Sequence, residues 1–445
     1  LQGVRVERRE DEHHRERAGF VRAGQVRRLA LTPEEAPELL ALLRHVREQT
    51  GQEALGIGLA AAWLKAAPAA EVQSGPGIEA MDALATQADR LAQRASGQAT
   101  TGPSGTASAQ GSAAVLAAHL EVAGRYGVRF RSYEQEGRMQ VCYDGELFLR
   151  VLGTSSAPLP RARAALGLTR PECVDPALSP LARTQLAQWR AEILDRVDTA
   201  ALPSWLANRI YLRRAAVWSS LAWHFTRQGR EGMPAAQRAL DALAAVRPAE
   251  LPDSDLAEHN SATMRVNASR WAAATPVADA PARADKRPRI EAVTTDGQTC
   301  VSLRDGSGER AALLARQCTY SVVWTSSATL NREGTALALA VQPLDSWRKL
   351  WMFRRQADGR WTISVLPPAS TTPDVGYAEF AGWVPGGHQV LVARESRGEG
   401  RYRRSFEVVS LDSLATVRQS GDPAAIGPFQ RWQDPGWKRH TVSLR

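Results

Sequence analysis

Apolar side chains recur every three to four residues through most of the first 274 positions. Beyond residue 290 they gather into short runs separated by glycine-rich turns. The first spacing predicts helices. Thr32 as N-cap, Pro33 at the first helical position and Glu35 as the capping-box partner open one. Its apolar stripe is Leu39, Leu42, Leu43 and Val46, and Gly51 suits its end. Further helices are expected over Ile78 to Ala95 and Ala113 to Ala123. VRFRSYEQ and RMQVCYDG, on either side of Glu136 and Gly137, read as a β-hairpin. From residue 158 to 274 the pattern is helical again. Ser179 and Pro180 start a helix in which Ala182, Leu186, Trp189, Ile193 and Val197 keep helical spacing.

Two breaker-rich stretches divide the chain. GQATTGPSGTASAQG, residues 97–111, is small and polar, and residues 275–289 are rich in proline, alanine and charge; both read as linkers. The expected layout is a helical region over 1–96 and a mainly helical domain with one small hairpin over 112–274. An all-β domain over 290–445 completes an α+β multidomain chain.

In AAVWSSLAWHFTRQGREGMPAAQRALDALAAVRP, Trp218, Leu221, Ala222 and Phe225 occupy one helix and Gly229 ends it. Ala236, Leu240, Leu243 and Pro248 suit a second helix and its stop. This segment resembles one tetratricopeptide repeat, which implies a packed helical hairpin near residues 215–248.

In FAGWVPGGHQVLVAR, Trp383, Pro385, Gly387, Leu391 and Val392 fall where a strand end, a tight turn and a second strand are needed. Gly334 lies 53 residues before Gly387, and Phe353 lies 53 before Phe406. Trp432 and Gly436 follow Trp383 and Gly387 by 49. Residues 290–445 therefore resemble the repeats of TolB-like and WD-like β-propellers. Three copies imply a partial or three-bladed ring. Closure is expected from pairing of Thr441–Arg445 with a strand from 290–303, with remaining edges covered by helices or by another chain, a homo-oligomer being one such arrangement.

Composition changes this picture little. The chain has 445 residues, 44% hydrophobic and 23% charged, enough for two or three globular domains. The net charge is +9, and the only lysines are Lys65, Lys286, Lys349 and Lys438. Arginines are spread along the chain beside acidic residues instead of forming one stripe, which makes nucleic acid an unfavoured partner. The most apolar stretch, Glu53 to Ala70, is interrupted by Lys65 and too short to span a bilayer. The first residue is Leu1 instead of Met, and a leader removed on export is expected; a trimmed chain would begin the same way.

Cys142 and Cys173 are 31 residues apart, and Cys300 and Cys318 are 18 apart. Four cysteines allow three pairings. Local pairs, one per domain, are expected, in an oxidising compartment; four buried thiols are the alternative.

Motifs for nucleophile elbows, phosphate loops, dinucleotides and metals are not found, and no cofactor is expected. Ser346 and Lys349 have the Ser-x-x-Lys spacing but lie between strands. His13 and His14 sit in a mixed-charge arm, and His119 and His224 on apolar helix faces read as core residues. Asp253 and Asp255 read as caps, and Asn267 begins a glycosylation sequon inside a helix. Trp432, Trp437, Lys438 and Arg439 form a candidate cation–aromatic binding surface, with blade-core tryptophans as the alternative. The function expected is an exported, non-catalytic interaction or scaffolding protein with protein partners. The alternatives are a hydrolase or glycan-processing enzyme with a dispersed site, and a structural subunit of a surface assembly.

Overall fold

The computed structural model describes residues 36–47, 49, 51–99, 107–135, 138–171, 173–273, 287–306, 311–370, 373–398 and 401–440. The chain forms two compact units, Leu1–Ala177 and Leu178–Arg445. The caps expected at Thr32–Glu35, the His13–His14 pair and the strand Thr441–Arg445 lie outside the described residues.

In the first unit α1 (Ala36–Val46), α2 (Glu53–Ala66), α3 (Ala69–Val72), α4 (Gly75–Ala99) and α5 (Ala107–Arg125) precede a hairpin of β1 (Val128–Gln135) and β2 (Arg138–Gly145). Two further helices, α6 (Glu146–Thr154) and α7 (Pro158–Leu168), follow. The core gathers Leu43, Ile57, Trp63, Met81, Leu91 and Phe148. Of the stripe expected on α1, Leu39, Leu43 and Val46 are buried and Leu42 stays exposed. Both ends of the stretch expected as a 97–111 linker are helical. The helix α4 runs to Ala99 and α5 starts at Ala107, because these ends are alanine- and glutamine-rich and lose little in helix form. Cys142 of β2 is bonded to Cys173, with Cα atoms 5.3 Å apart.

The second unit begins with α8 (Pro180–Asp195), α9 (Ser204–Arg227), α10 (Met233–Ala244) and α11 (Leu256–Ala273). Ser179 caps α8 by accepting Ala182 N–H at 3.2 Å. A three-stranded antiparallel sheet follows, β3 (Pro288–Thr295), β4 (Gln298–Asp305) and β5 (Leu313–Thr319). Next come two four-stranded antiparallel meanders. The first is β6 (Val322–Leu330), β7 (Ala336–Leu344), β8 (Trp347–Arg355) and β9 (Trp361–Leu366). The second is β10 (Val375–Val384), β11 (Gln389–Gly398), β12 (Arg401–Ser410) and β13 (Thr416–Ser420). Parallel pairing of Gly376 with Trp347 and of Tyr377 with Arg348 joins them into one eight-stranded sheet. The fold is thus a helical N-terminal region followed by a large, mostly β domain. Among the described residues the sheets do not close into a ring.

The central strands of the first meander, β7 and β8, are buried on both faces. Ala336, Ala338, Ala340, Leu350 and Met352 share a core with Phe380, Val392 and Val408 of the second. Leu337, Leu339, Val341, Trp351 and Phe353 pack with Val301 and Leu303 of the three-stranded sheet. A strand covered on both sides has no polar face to alternate with, hence the continuous apolar run of β7. Gly334 holds the β6–β7 turn and Gly387 the β10–β11 turn, with φ of 71° and 74°.

The C-terminal segment and the helices before the sheets differ from expectation. Residues 432–440 do not repeat the hairpin: α12 (Gly427–Trp432) and α13 (Pro435–His440) stand there. Asp434 accepts Trp437 N–H through Oδ1 at 2.9 Å, and Pro435 follows it, so Asp-Pro-Gly starts a helix instead of making a strand turn. Residues 290–303 pair with each other as β3 and β4, and β4 pairs with β5. β3 keeps its outer edge, and the partner expected for it, Thr441–Arg445, lies outside the described residues. Finally, α8–α11 belong to the same unit as the sheets, although the sequence marked a division at 275–289. Trp223 of α9 donates to Gln342 O at 3.1 Å and Ser220 to Asp345 at 3.0 Å, tying these helices to the β7–β8 corner.

Candidate functional site

The helices α9 and α10 pack as the expected hairpin. Leu221 and Ala222 of α9 and Ala236 and Leu243 of α10 are buried. Trp218 and Phe225, seven residues apart and so on one side of α9, face a cleft of about 450 Å³. Pro234 and Ala235 from the first turn of α10 form its other wall. Two arginines cover the rings. The Arg230 guanidinium lies 3.9 Å from the Phe225 centroid, and that of Arg238 lies 4.5 Å from the Trp218 centroid. Arg238 also has Asp195 at 3.6 Å, and Trp218 Nε1 donates to the same carboxylate at 3.4 Å. Among the described residues Arg230 has no carboxylate within ion-pair range, nor has Glu231 at the rim a cationic partner. A planar guanidinium resting on a ring keeps its N–H edge free to donate, so the cleft presents flat apolar walls beneath oriented donors.

A second polar group lies inside the β domain. Neighbouring strands set Arg348, Tyr377, Glu395 and Arg404 in one row across β8, β10, β11 and β12. Arg404 is exposed, Glu395 half-buried, and Tyr377 and Arg348 fully buried. Arg348 donates to Glu379 Oε1 at 2.6 Å and to the Asn267 carbonyl at 3.2 Å, with the Ala268 carbonyl as a further acceptor. Trp437 Nε1 of α13 donates to Glu379 Oε2 at 2.7 Å, and the Tyr377 hydroxyl to Glu395 at 2.8 Å. Burial pushes the Glu379 carboxyl above its ordinary range, while Arg348 beside it pulls the other way. Burial likewise raises Glu395.

Near the other end of α11, Arg397 makes two 2.8 Å bonds to Asp374 and one of 3.0 Å to Ser261. Tyr402 donates to Ala257 O at 2.5 Å. These charges hold α11 and α13 on the sheet. With Arg348 and Glu379 fully enclosed, this group positions elements and does not face a ligand.

The four C-terminal residues named from sequence separate. Trp437 is buried, within edge-to-face distance of Phe406 and Phe429, whereas Trp432, Lys438 and Arg439 are exposed. Trp437 is therefore not part of an exposed surface with the other three. Both pairs of cysteines named from sequence are bonded, Cys300 to Cys318 directly across β4 and β5.

His119 and His224 are buried, and burial lowers both below the ordinary imidazole value. Asp255 is an ion-pair partner instead of a cap, meeting Arg209 at 2.6 and 3.0 Å. Asn267 is buried in α11. Ser346 donates to Asp374 O at 2.7 Å, at the start of a strand. Among the described residues no group of three His, Cys, Asp or Glu is placed to hold a metal ion.

Sequence reasoning placed Trp218 and Phe225 in helix packing and did not connect them with Arg230 and Arg238. The available signal was Arg230 between Phe225 and Pro234, with Arg238 four residues beyond that proline. Compared with protein-family models, with curated proteins and with solved structures, the chain matches none.

Proposed function

We propose that this chain is an exported interaction or scaffolding protein that engages a protein partner through the cleft between α9 and α10. The observation carrying this reading is the cleft itself: Trp218 and Phe225 walls under arginine donors, open to solvent, on helices anchored to the β domain. Aromatic and arginine side chains are the residue types that dominate binding energy at protein interfaces. The enclosed Arg348–Glu379 group, by contrast, has a positioning role in this reading.

The same reading takes β6–β9 and β10–β13 as two blades of a propeller-like stack, with β3–β5 as a shorter third. Their strand order and the 53-residue spacing between Gly334 and Gly387 support it. The helix α11, which packs on β10 and β6, would lie where a ring has its channel. Two disulfides, with no helix among the described residues long and apolar enough to cross a membrane, are compatible with a secreted or periplasmic location.

The test is site-specific photo-cross-linking in the native source, with benzoylphenylalanine at Pro234 in the cleft or at exposed Arg360 as control. A discrete adduct from Pro234 and none from Arg360 is expected. Indistinguishable adduct patterns from the two positions would overturn the reading.

A further inference from the structure

We propose that the α9–α10 cleft recognises an acidic peptide segment, one carboxylate held by Arg230 and Arg238 and an adjacent apolar side chain seated against Pro234 and Ala235. The assignment rests on the interaction reading above and adds the chemistry of the partner.

Charge supplies the first argument. Arg230 has no internal carboxylate among the described residues, and Arg238 shares its carboxylate, Asp195, with Trp218 and with Arg214 at 3.8 Å. Glu231 at the rim brings a carboxylate of its own but, among the described residues, pairs with neither arginine, so the donors of Arg230 above all are left without an internal carboxylate. Guanidinium forks match a carboxylate in two-point geometry, and contact with the Phe225 and Trp218 rings, 3.9 and 4.5 Å away, keeps both at the cleft before a ligand arrives.

Shape supplies the second. A hollow of about 450 Å³ admits a few side chains. Pro234 and Ala235 offer the apolar contact that a carboxylate alone would not use. The arrangement disfavours other anionic partners. Single-stranded nucleic acid needs open ring faces for base stacking, and here each ring already carries a guanidinium. A membrane surface needs apolar side chains that project, whereas Trp218 and Phe225 are half-buried beneath their arginines.

The experiment selects from a random dodecapeptide library displayed on phage. The full oxidised chain is the bait, and its Arg230→Glu/Arg238→Glu variant is the counter-selection. An unchanged unfolding midpoint verifies that the variant is folded. Enrichment of Asp or Glu next to an apolar residue is expected. The enriched peptide, synthesised with a fluorescent label, should bind the Arg230→Ala/Arg238→Ala variant at least about tenfold more weakly by anisotropy. Its affinity for the parent chain should fall as salt rises.

Enrichment of neutral or basic peptides, no enrichment, or equal affinity for parent and variant would each overturn the proposal. So would arginine-dependent binding to phosphatidylglycerol vesicles without peptide enrichment. A Pro234 cross-link that persists in the Arg230→Ala/Arg238→Ala variant would refute the acidic assignment alone and leave the interaction reading standing. Loss of both cross-link and enrichment in the parent chain would refute both.

Discussion

Trp437 donates its indole N–H to Glu379 Oε2 at 2.7 Å, joining α13 to β10 across 58 residues of chain. The other carboxylate oxygen belongs to Arg348 at 2.6 Å, so Glu379 links the C-terminal helix, the central strands and, through Arg348, α11. Trp437→Phe keeps a ring against Phe406 and Phe429 while leaving Glu379 one donor short inside the protein. A hydrogen bond to a charged group is worth about 1.5–3 kcal/mol, and the variant should lose roughly that much in chemical unfolding. A midpoint equal to the parent's would show that the link contributes nothing.

Gly382 explains where those C-terminal helices dock. It has φ 152° at a bulge in β10, and a Cβ there would run into the Trp432 carbonyl and approach Asp434 N to 3.0 Å. The bulge leaves the Ala381 carbonyl to accept Asp434 N–H at 2.7 Å. Gly382→Ala is expected to cost about 1–3 kcal/mol by overpacking. Trypsin should then cut after Arg431 or Lys438 sooner than in the parent. Unchanged cleavage rates would rule this docking out.

The same residues show what the sequence discloses and what it withholds. The strands Val128–Gln135 and Arg138–Gly145 were readable because alternation and a two-residue turn are local, and so was the Ser179–Pro180 start of α8. Gln433 to Gly436 fitted either a strand turn or a helix cap. What decided between them was a carbonyl 53 residues earlier, that of Ala381, a partner no local pattern contains. The buried ion group had one visible trace, Glu379 as a lone charge inside an apolar run. Its partners Arg348 and Trp437 come from separate elements that only the tertiary fold brings together. The cleft was half visible: the aromatic spacing was noted, but whether Trp218 packs inward or faces a hollow depends on the angle between two helices.

Both disulfides close short loops, and each should add about 2–4 kcal/mol by restricting the unfolded chain. Non-reducing peptide mapping should recover Cys142 linked to Cys173 and Cys300 linked to Cys318. Replacing Cys142 and Cys173 together by serine should lower the unfolding transition of the first unit alone, because that bond lies wholly within it. A matching loss in the second unit's transition would contradict that separation.

Acid should favour the β domain through Glu395. Burial raises this carboxyl above its ordinary value, while the Tyr377 hydroxyl and the Arg404 charge work in the opposite sense without prevailing. The folded-state value therefore exceeds the unfolded one, about 4.3 for a free glutamate. Such a group contributes its full stability below the unfolded value and loses it as pH rises through the folded value. Glu379 carries the same sign for the same reason. Glu395→Gln keeps an acceptor for Tyr377 but cannot ionise. Compared by urea unfolding, parent and variant should be closest near pH 4, and the variant should gain on the parent as the pH is raised toward neutrality. If it loses ground instead, the ionised carboxylate is the form the fold prefers, and the Tyr377 and Arg404 contacts outweigh its burial.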